Sequence, residues 1–401
     1  CRFASLILIN LNNVMKKKLL VISIFFASFL VTAQNTGERM IANNKGLHIG
    51  AYAQIDMNMP IGDDNIHYNA SLDVHRWVTF LAYNFNDKVS FVSEVEYEHV
   101  SEVYVEQAFM NYKLKENLSM QAGLLLIPMG IQNLYHEPPT FNGVERTNVD
   151  KYIIPTTWRE MGLGVSGRFE EYNVNYQAML VNGFNGYNDG SAVFSGKKGL
   201  RSGRQKGAES YMTMPDFSGR ISYYGIVGWN LGASLYKGES ETSMYNELNL
   251  NDKTAVASAD SSKIGIQMIG VDARYTNGPI QARAQYVVAD LENTTAYNTF
   301  AGSDLGSVMT GYYLEGGVNL LDGKNTDNKL IVFARYENYN THAEVAEGLE
   351  RNLAYNRTET TVGLTYKVAE GAALKADYQI FKNEEVAKET KKINLGVAVW
   401  F

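Results

Sequence analysis

The sequence predicts an all-β protein, a transmembrane antiparallel β-barrel of about sixteen strands with an inward-folded third extracellular loop. Three observations carry this. Segments of roughly ten residues alternate apolar and polar side chains, the length a tilted strand needs to cross a bilayer. The connections between them alternate short and long. Past the N-terminal thirty-odd residues, no apolar run approaches the ~20 residues of a helical span.

The first element is a leader. Met15 opens "MKKKLLVISIFFASFLVTAQ", where Lys16, Lys17 and Lys18 precede an apolar core from Leu19 to Leu30. Val31-Thr32-Ala33 supplies a small-residue cleavage site. Residues 15–33 therefore read as a signal peptide for export. Gln34 is the expected first mature residue, and residues 34–401 form one barrel domain. Residues 1–14 read as upstream translation without a structural role. Cys1 is the only cysteine, so the exported chain has no thiol nucleophile, disulfide or cysteine metal site. Losing Arg2 and the three lysines takes the net charge from −7 to −11, which argues against a nucleic-acid partner.

The strands follow in order at about 46–58, 70–85, 88–98, 103–114, 118–126, 158–169, 172–182, 217–225, 228–237, 262–276, 279–290, 308–321, 328–340, 357–368, 372–382 and 389–401. The last shows the pattern best: in "KKINLGVAVWF", Ile393, Leu395, Val397, Val399 and Phe401 share one face. Connections after even strands are tiny, such as Asn86-Asp87 and Asn277-Gly278, the second a preferred two-residue hairpin pair. Most of those after odd strands are long, notably 59–69, 127–157, 183–216, 238–261, 291–307 and 341–356. Outer-membrane barrels place short turns on the periplasmic side and long loops outside. A soluble sandwich has no reason to keep this alternation. The location it implies is the outer membrane of a Gram-negative bacterium, with lipid as the surrounding partner.

With the apolar face toward lipid, the opposite face lines the interior. Charged candidates there are Arg76, Glu94, Glu96, Glu98, Arg168, Arg220, Arg274, Arg283, Arg335 and Lys375, since charge on the lipid side costs about 2–4 kcal/mol near the midplane. Sixteen strands leave an aqueous channel where eight would not. Glu94, Glu96 and Glu98 share one face and stack at about 7 Å intervals, as a cation rung or as partners for Arg76 and other arginines. The arginines read either as an anion ladder or as ion-pair partners of lumen acids. Tyr83, Phe85, Tyr112, Phe169, Tyr172, Tyr366 and Phe401 sit near strand ends, where a girdle would place them.

Chemistry-bearing motifs are weak. "GLGVSG" (162–167) matches a dinucleotide fingerprint in letters, but it lies inside a strand with no helix after it. Small residues making room in the lumen account for it. His136-Glu137 is followed by two prolines and lacks a second histidine four residues on, so no zincin helix forms. No nucleophile elbow is present. The sequence assigns no catalytic residue, no metal ligand and no cofactor, and the reading is not an enzyme. A barrel enzyme and a receptor or adhesin with ligand-binding outer loops are the alternatives.

The stretch "YHEPPTFNGVERTNVDKYIIPTTWREMG" interrupts the alternation and carries three of the seven prolines. It belongs to connection 127–157, the third long loop. Pro138-Pro139 stiffens it and Pro155 fixes its return. Glu137, Glu145, Arg146, Asp150, Lys151, Arg159 and Glu160 are the candidates for a constriction, where local charge sets ion preference. "GLLLIPMGIQNLYHEPPTFNGVER" and "IIPTTWREMGLGVSGRF", with the leader and terminal Phe401, resemble the phosphate-selective porin O/P-type outer-membrane porins of Bacteroidetes-like bacteria. The strong match covers about residues 95–185. The resemblance implies a homotrimeric channel for small hydrophilic solutes or inorganic anions, some members preferring phosphate or polyphosphate. Two features depart from the anion-selective pattern: the −11 charge, and a loop with Glu137, Glu145 and Asp150 against Arg146 and Lys151.

Overall fold

A computed structural model describes residues 45–62, 67–386 and 388–401. The expected leader and the residues before it lie outside the described residues.

The barrel strands are β1 (Gly46–Ile61), β2 (Ser71–Asn84), β3 (Val89–Glu98), β4 (Glu102–Lys115), β5 (Leu118–Leu126), β6 (Arg159–Phe169), β7 (Val174–Val181), β10 (Asp216–Tyr223), β11 (Trp229–Glu239), β13 (Gly265–Asn277), β14 (Ile280–Glu292), β15 (Val308–Asn319), β16 (Lys329–Glu344), β17 (Asn356–Ala369), β18 (Ala372–Asn383) and β19 (Thr390–Trp400). Each pairs antiparallel with its neighbour in sequence order, and β1 closes on β19 from Tyr52↔Trp400 to Ile61↔Lys391. Closure leaves no strand edge, which a sheet in hydrocarbon requires because lipid cannot hydrogen-bond a bare backbone. All sixteen lie where the alternation predicts them, with ends differing by no more than four residues.

Elements inside the long connections were not expected. β8 (Asn185–Asn188), β9 (Ser191–Ala192) and β12 (Glu241–Thr242) form a small separate sheet. Helix α1 (Val149–Tyr152) lies between β5 and β6, α2 (Lys253–Ser261) between β12 and β13, and α3 (Thr294–Ala301) between β14 and β15. Asp252 caps α2 by accepting from the amides of Thr254 and Ala255. These segments are too short and polar for their periodicity to stand out in sequence.

Strand β13 shows how the faces divide. Ile266, Met268, Gly270 and Asp272 are buried on one side, while Ile269 and Val271 are about half exposed on the other. An apolar outer face around a closed barrel is a surface built for lipid. Tyr83, Phe85, Tyr112, Phe169, Tyr172 and Phe401 are exposed, and Tyr366 half-buried, all at the short-turn end. There they form one belt, with Tyr83 and Phe85 edge to face at 4.9 Å.

The inner face is less uniformly polar than expected. Val78, Phe80, Val92 and Phe109 are buried there in one cluster with Ile127, Met129, Ile131, Ile153 and Trp158 of the connection after β5. Those loop residues need apolar partners, and β2 to β4 supply them. The glycines of "GLGVSG" serve close strand approach. A Cβ on Gly162 would lie 2.2 Å from the Leu180 carbonyl oxygen, and one on Gly167 2.0 Å from that of Asn117. Gly164 differs: a Cβ there would lie 3.0 Å from Met179 Cγ and 3.6 Å from Leu125 Cδ1, so its small size leaves room for buried side chains.

Val271 sits at the middle of β13, so Val271→Arg should destabilise the barrel by about 2–4 kcal/mol. Urea unfolding in lipid vesicles measures it; an unchanged free energy would mean that this face does not meet lipid.

Candidate functional site

The connection between β5 and β6 begins and ends at one point. Ile127 N donates to the Trp158 carbonyl at 3.0 Å, continuing the β5–β6 ladder by one step. Asn133 ties the two ends together. Its Nδ2 donates to the carbonyls of Ile127 (2.7 Å) and Trp158 (3.0 Å), and its Oδ1 accepts from Trp158 N at 2.6 Å. Trp158 is buried and stacks on Phe184 at 4.4 Å, with Tyr236 at 4.6 Å. A buried amide with every contact polar and satisfied is a rigid joint.

From that joint the segment reaches side chains of β14 to β18. Gln285 accepts from Ile131 N at 2.7 Å and donates to Asp150 at 2.9 Å. The Lys375 ammonium spends its three donors on the carbonyls of Pro138, Phe141 and Gly143, at 2.6, 2.6 and 2.9 Å. Asp377 accepts from Val144 N at 2.6 Å. Glu337 accepts from Asn148 N and Val149 N at 2.6 and 3.1 Å, which satisfies amides at the start of α1. Beneath these, Arg335 has a fully buried side chain within 3.4–3.7 Å of Glu315, Glu337 and Glu359. One guanidinium thus serves three carboxylates, all of which also bind the segment: Glu315 accepts from Asn142, and Glu337 and Glu359 accept from Asn148.

The opposite contact is made by His136. Its Nε2 faces Glu94 (3.2 Å) of β3 and Glu106 (3.6 Å) of β4, all three buried. Tyr52 donates toward the same two carboxylates at 2.9 and 3.1 Å, and Arg159 approaches Glu106 at 3.6 Å. Burial alone would lower the imidazole pKa, but Glu94 and Glu106 override it and push His136 up to about 10. The ring is therefore a cation at neutral pH, balancing carboxylates that water does not reach.

Of the seven residues expected at a constriction, Glu137, Asp150, Arg159 and Glu160 are buried. Asp150 accepts from Thr147 and Gln285, and Glu160 accepts from Asn182 and Gln205. Glu145, Arg146 and Lys151 keep exposed surface. The lumen candidates are largely neutralised in place. Arg76 pairs with Glu96 at 3.4 Å, Arg220 with Asp272 through two bonds of 2.7 and 2.8 Å, and Arg283 with Glu315 at 3.4 Å. Arg168 lies over Tyr224 and Arg274 over Tyr135, at 4.7 and 3.9 Å. Glu98 stands at the end of β3, opposite Glu102.

Sequence reasoning missed Tyr52, Glu106 and His136 as a unit. It also missed Arg201, Arg204 and Lys206, which come from the connection between β9 and β10. Arg201 donates to Thr156 O at 2.8 Å, Arg204 to Thr157 O at 3.1 Å, and Lys206 lies 4.8 Å over the Tyr104 ring. The signal was present: "KKGLRSGRQKG" holds five cations and no acid.

Removing His136 leaves Glu94 and Glu106 buried together, so His136→Ala should cost about 3–5 kcal/mol in urea unfolding. A loss below about 1 kcal/mol would exclude the ion contact as an anchor. In the native protein a raised pKa makes the contribution whole below about pH 6.5 and lost as pH rises through about 10. Proteolytic protection of 127–157 should follow that course.

No family model matches the chain. Among solved structures, it resembles the anion-selective porin from Comamonas acidovorans, with TM-score 0.56, 9% identity, and coverage of 89% of this chain and 100% of that one. It also resembles the outer membrane channel DcaP of Acinetobacter baumannii, with TM-score 0.56, 11% identity, and coverage of 90% and 100%. At such identities the likeness is one of fold, a sixteen-strand barrel of the outer-membrane porin kind. In sequence it is 32% identical over 349 residues to an uncharacterized protein of Aquifex aeolicus (strain VF5), spanning 83% of this chain and 75% of the relative. On that identity and coverage, the chain belongs to the same family as the Aquifex aeolicus protein.

Proposed function

We propose that this protein is an outer-membrane channel for passive diffusion of small hydrophilic solutes, with a preference for inorganic anions. Residues 127–157 are its constriction, folded into the barrel and held between the His136 contact and the Arg335–Lys375 wall. The observation that carries the anion preference is an imbalance of accessible charge. Arg146, Lys151, Arg201, Arg204 and Lys206 all keep exposed surface, and none has a carboxylate within ion-pair distance among the described residues. Most acids of the same region are buried and hydrogen-bonded; the accessible ones near them are Glu98, Glu102, Glu145 and Glu209, and Glu102 and Glu145 are already engaged by Tyr104 and Asn58. Unpaired cations beside a narrow passage raise the local anion concentration whatever the net charge of the chain. This answers the −11: the excess acid is spread elsewhere or neutralised in the wall.

The resemblance to phosphate-selective porins supports the same reading and narrows it toward phosphate, and the anion-selective porin among the structural neighbours agrees with it. Guanidinium forks suit a tetrahedral oxyanion. A homotrimer follows from the same resemblance and is tested by native mass spectrometry in detergent.

Planar bilayers test the channel. Deleting 137–151 should raise single-channel conductance; unchanged conductance would remove the segment from the path. In a potassium chloride gradient the reversal potential should report anion preference, and Arg146→Glu should move it toward cations. Burial and the neighbouring Arg204 lower the Lys206 ammonium to about 8, so it loses its charge as pH rises through that value. Anion preference should therefore weaken between about pH 7 and about pH 9.5, and Lys206→Gln should flatten that part of the profile.

A further inference from the structure

At the long-loop end of β1 to β4, four side chains converge that neither the constriction nor the wall uses. Asp56 lies on β1, Asp73 and His75 on β2, and His99 in the turn from β3 to β4. His75 Nδ1 is 2.8 Å from Asp56 Oδ2, and His99 Nδ1 is in close contact with Asp73 Oδ2. The two imidazole rings are 5.5 Å apart between centroids. Donor atoms of Asp56, Asp73 and His75 all lie within 4.8 Å of one another.

The local backbone departs from regularity to make this set. Register slips between β1 and β2, so that Gln54 faces Arg76 but Asp56 faces Asp73. The extra β2 residue turns Val74 outward and brings both Asp73 and His75 to the inner side, where strict alternation would have put Val74. His99 has φ 52° and Val100 φ 66°, and His99 N donates to His75 O at 3.4 Å, fixing the turn over the bulge. Among the described residues, the ion pairs of Asp56 and Asp73 are with these histidines alone, and no lysine or arginine pairs with either.

We propose that Asp56, Asp73, His75 and His99 form a binding site for a divalent transition-metal ion of the zinc class. Two imidazoles and two carboxylates are a four-donor N/O set of the kind zinc takes. Bonds of about 2.0–2.2 Å place tetrahedral donors about 3.3 Å apart, so Asp56, Asp73 and His75, whose donor atoms lie within 4.8 Å of one another, draw together on an ion, and His99, held against Asp73 in the β3–β4 turn, swings in as the fourth donor. Calcium and magnesium prefer oxygen-only cages and are disfavoured here. Gln54 links the site to the constriction, since its Nε2 lies 2.8 Å from Asp56 Oδ2 and 3.1 Å from Val144 O. A bound ion fastens β1, β2 and the β3–β4 turn together beside that segment.

The test is equilibrium dialysis of the refolded full-length barrel against zinc chloride, with metal counted by atomic emission. Folding of each variant is verified by heat-modifiable gel mobility. Wild type should bind one equivalent. His75→Ala, His99→Ala and the isosteric Asp73→Asn should each weaken it tenfold or more. Asp73→Asn keeps a hydrogen-bonding partner for His99, so it remains informative if a histidine variant fails to fold. No uptake by wild type would overturn the proposal. So would uptake unchanged in the variants, which would place the ion elsewhere, for example on Glu94, Glu106 and His136.

Discussion

Closure of β1 onto β19 is the constraint that the remaining structure obeys. A sheet in lipid can leave no backbone edge unpaired, and sixteen strands satisfy this only as a ring. The ring fixes which side chains face inward and creates an interior too wide for side chains alone to fill. Everything distinctive about this protein concerns what occupies that interior. The excursion between β5 and β6 has its backbone amides and carbonyls met one by one by wall residues. Lys375, Asp377, Glu337 and Gln285 are therefore as much a part of the segment's fold as its own sequence.

Burying so much charge is tolerable because the clustered ions are paired with one another or hydrogen-bonded to the segment. Arg335 neutralises three carboxylates, and His136 gains a proton to match Glu94 and Glu106. Such clusters add little net stability over apolar packing, but losing one member is severe. They give specificity of placement: the segment cannot slide without stranding a charge. The few cations left without a carboxylate partner among the described residues then stand out, and the proposed anion preference rests on them.

The sixteen strands were legible because their signal is local. Alternation within ten residues and the length of each connection need no knowledge of the fold, and both survived comparison strand by strand. The small sheet and the loop helices were not legible, being too short to show a period. The inner-face identity of the charged residues was also readable, but their partners were not. His136 meets Glu94 across 42 positions, and Lys375 meets Pro138 across 237. Those meetings depend on barrel curvature and stagger, which one sequence does not encode in any window. For the same reason Glu137 and Asp150 looked like pore charges in sequence but are buried, while Arg201 and Arg204, which meet the carbonyls of Thr156 and Thr157, went unremarked.

Asn133 has a wider meaning for how such proteins change over time. Because it pins the departure and return of the excursion to one spot, with Ile127 still paired to Trp158, the adjoining strands register identically whatever lies between. The barrel and the excursion are thus separable inheritances. The excursion can change in length without disturbing the wall's backbone ladder, provided the joint and the buried ion contacts are kept. A lineage built on this chain can vary the one without having to reinvent the other.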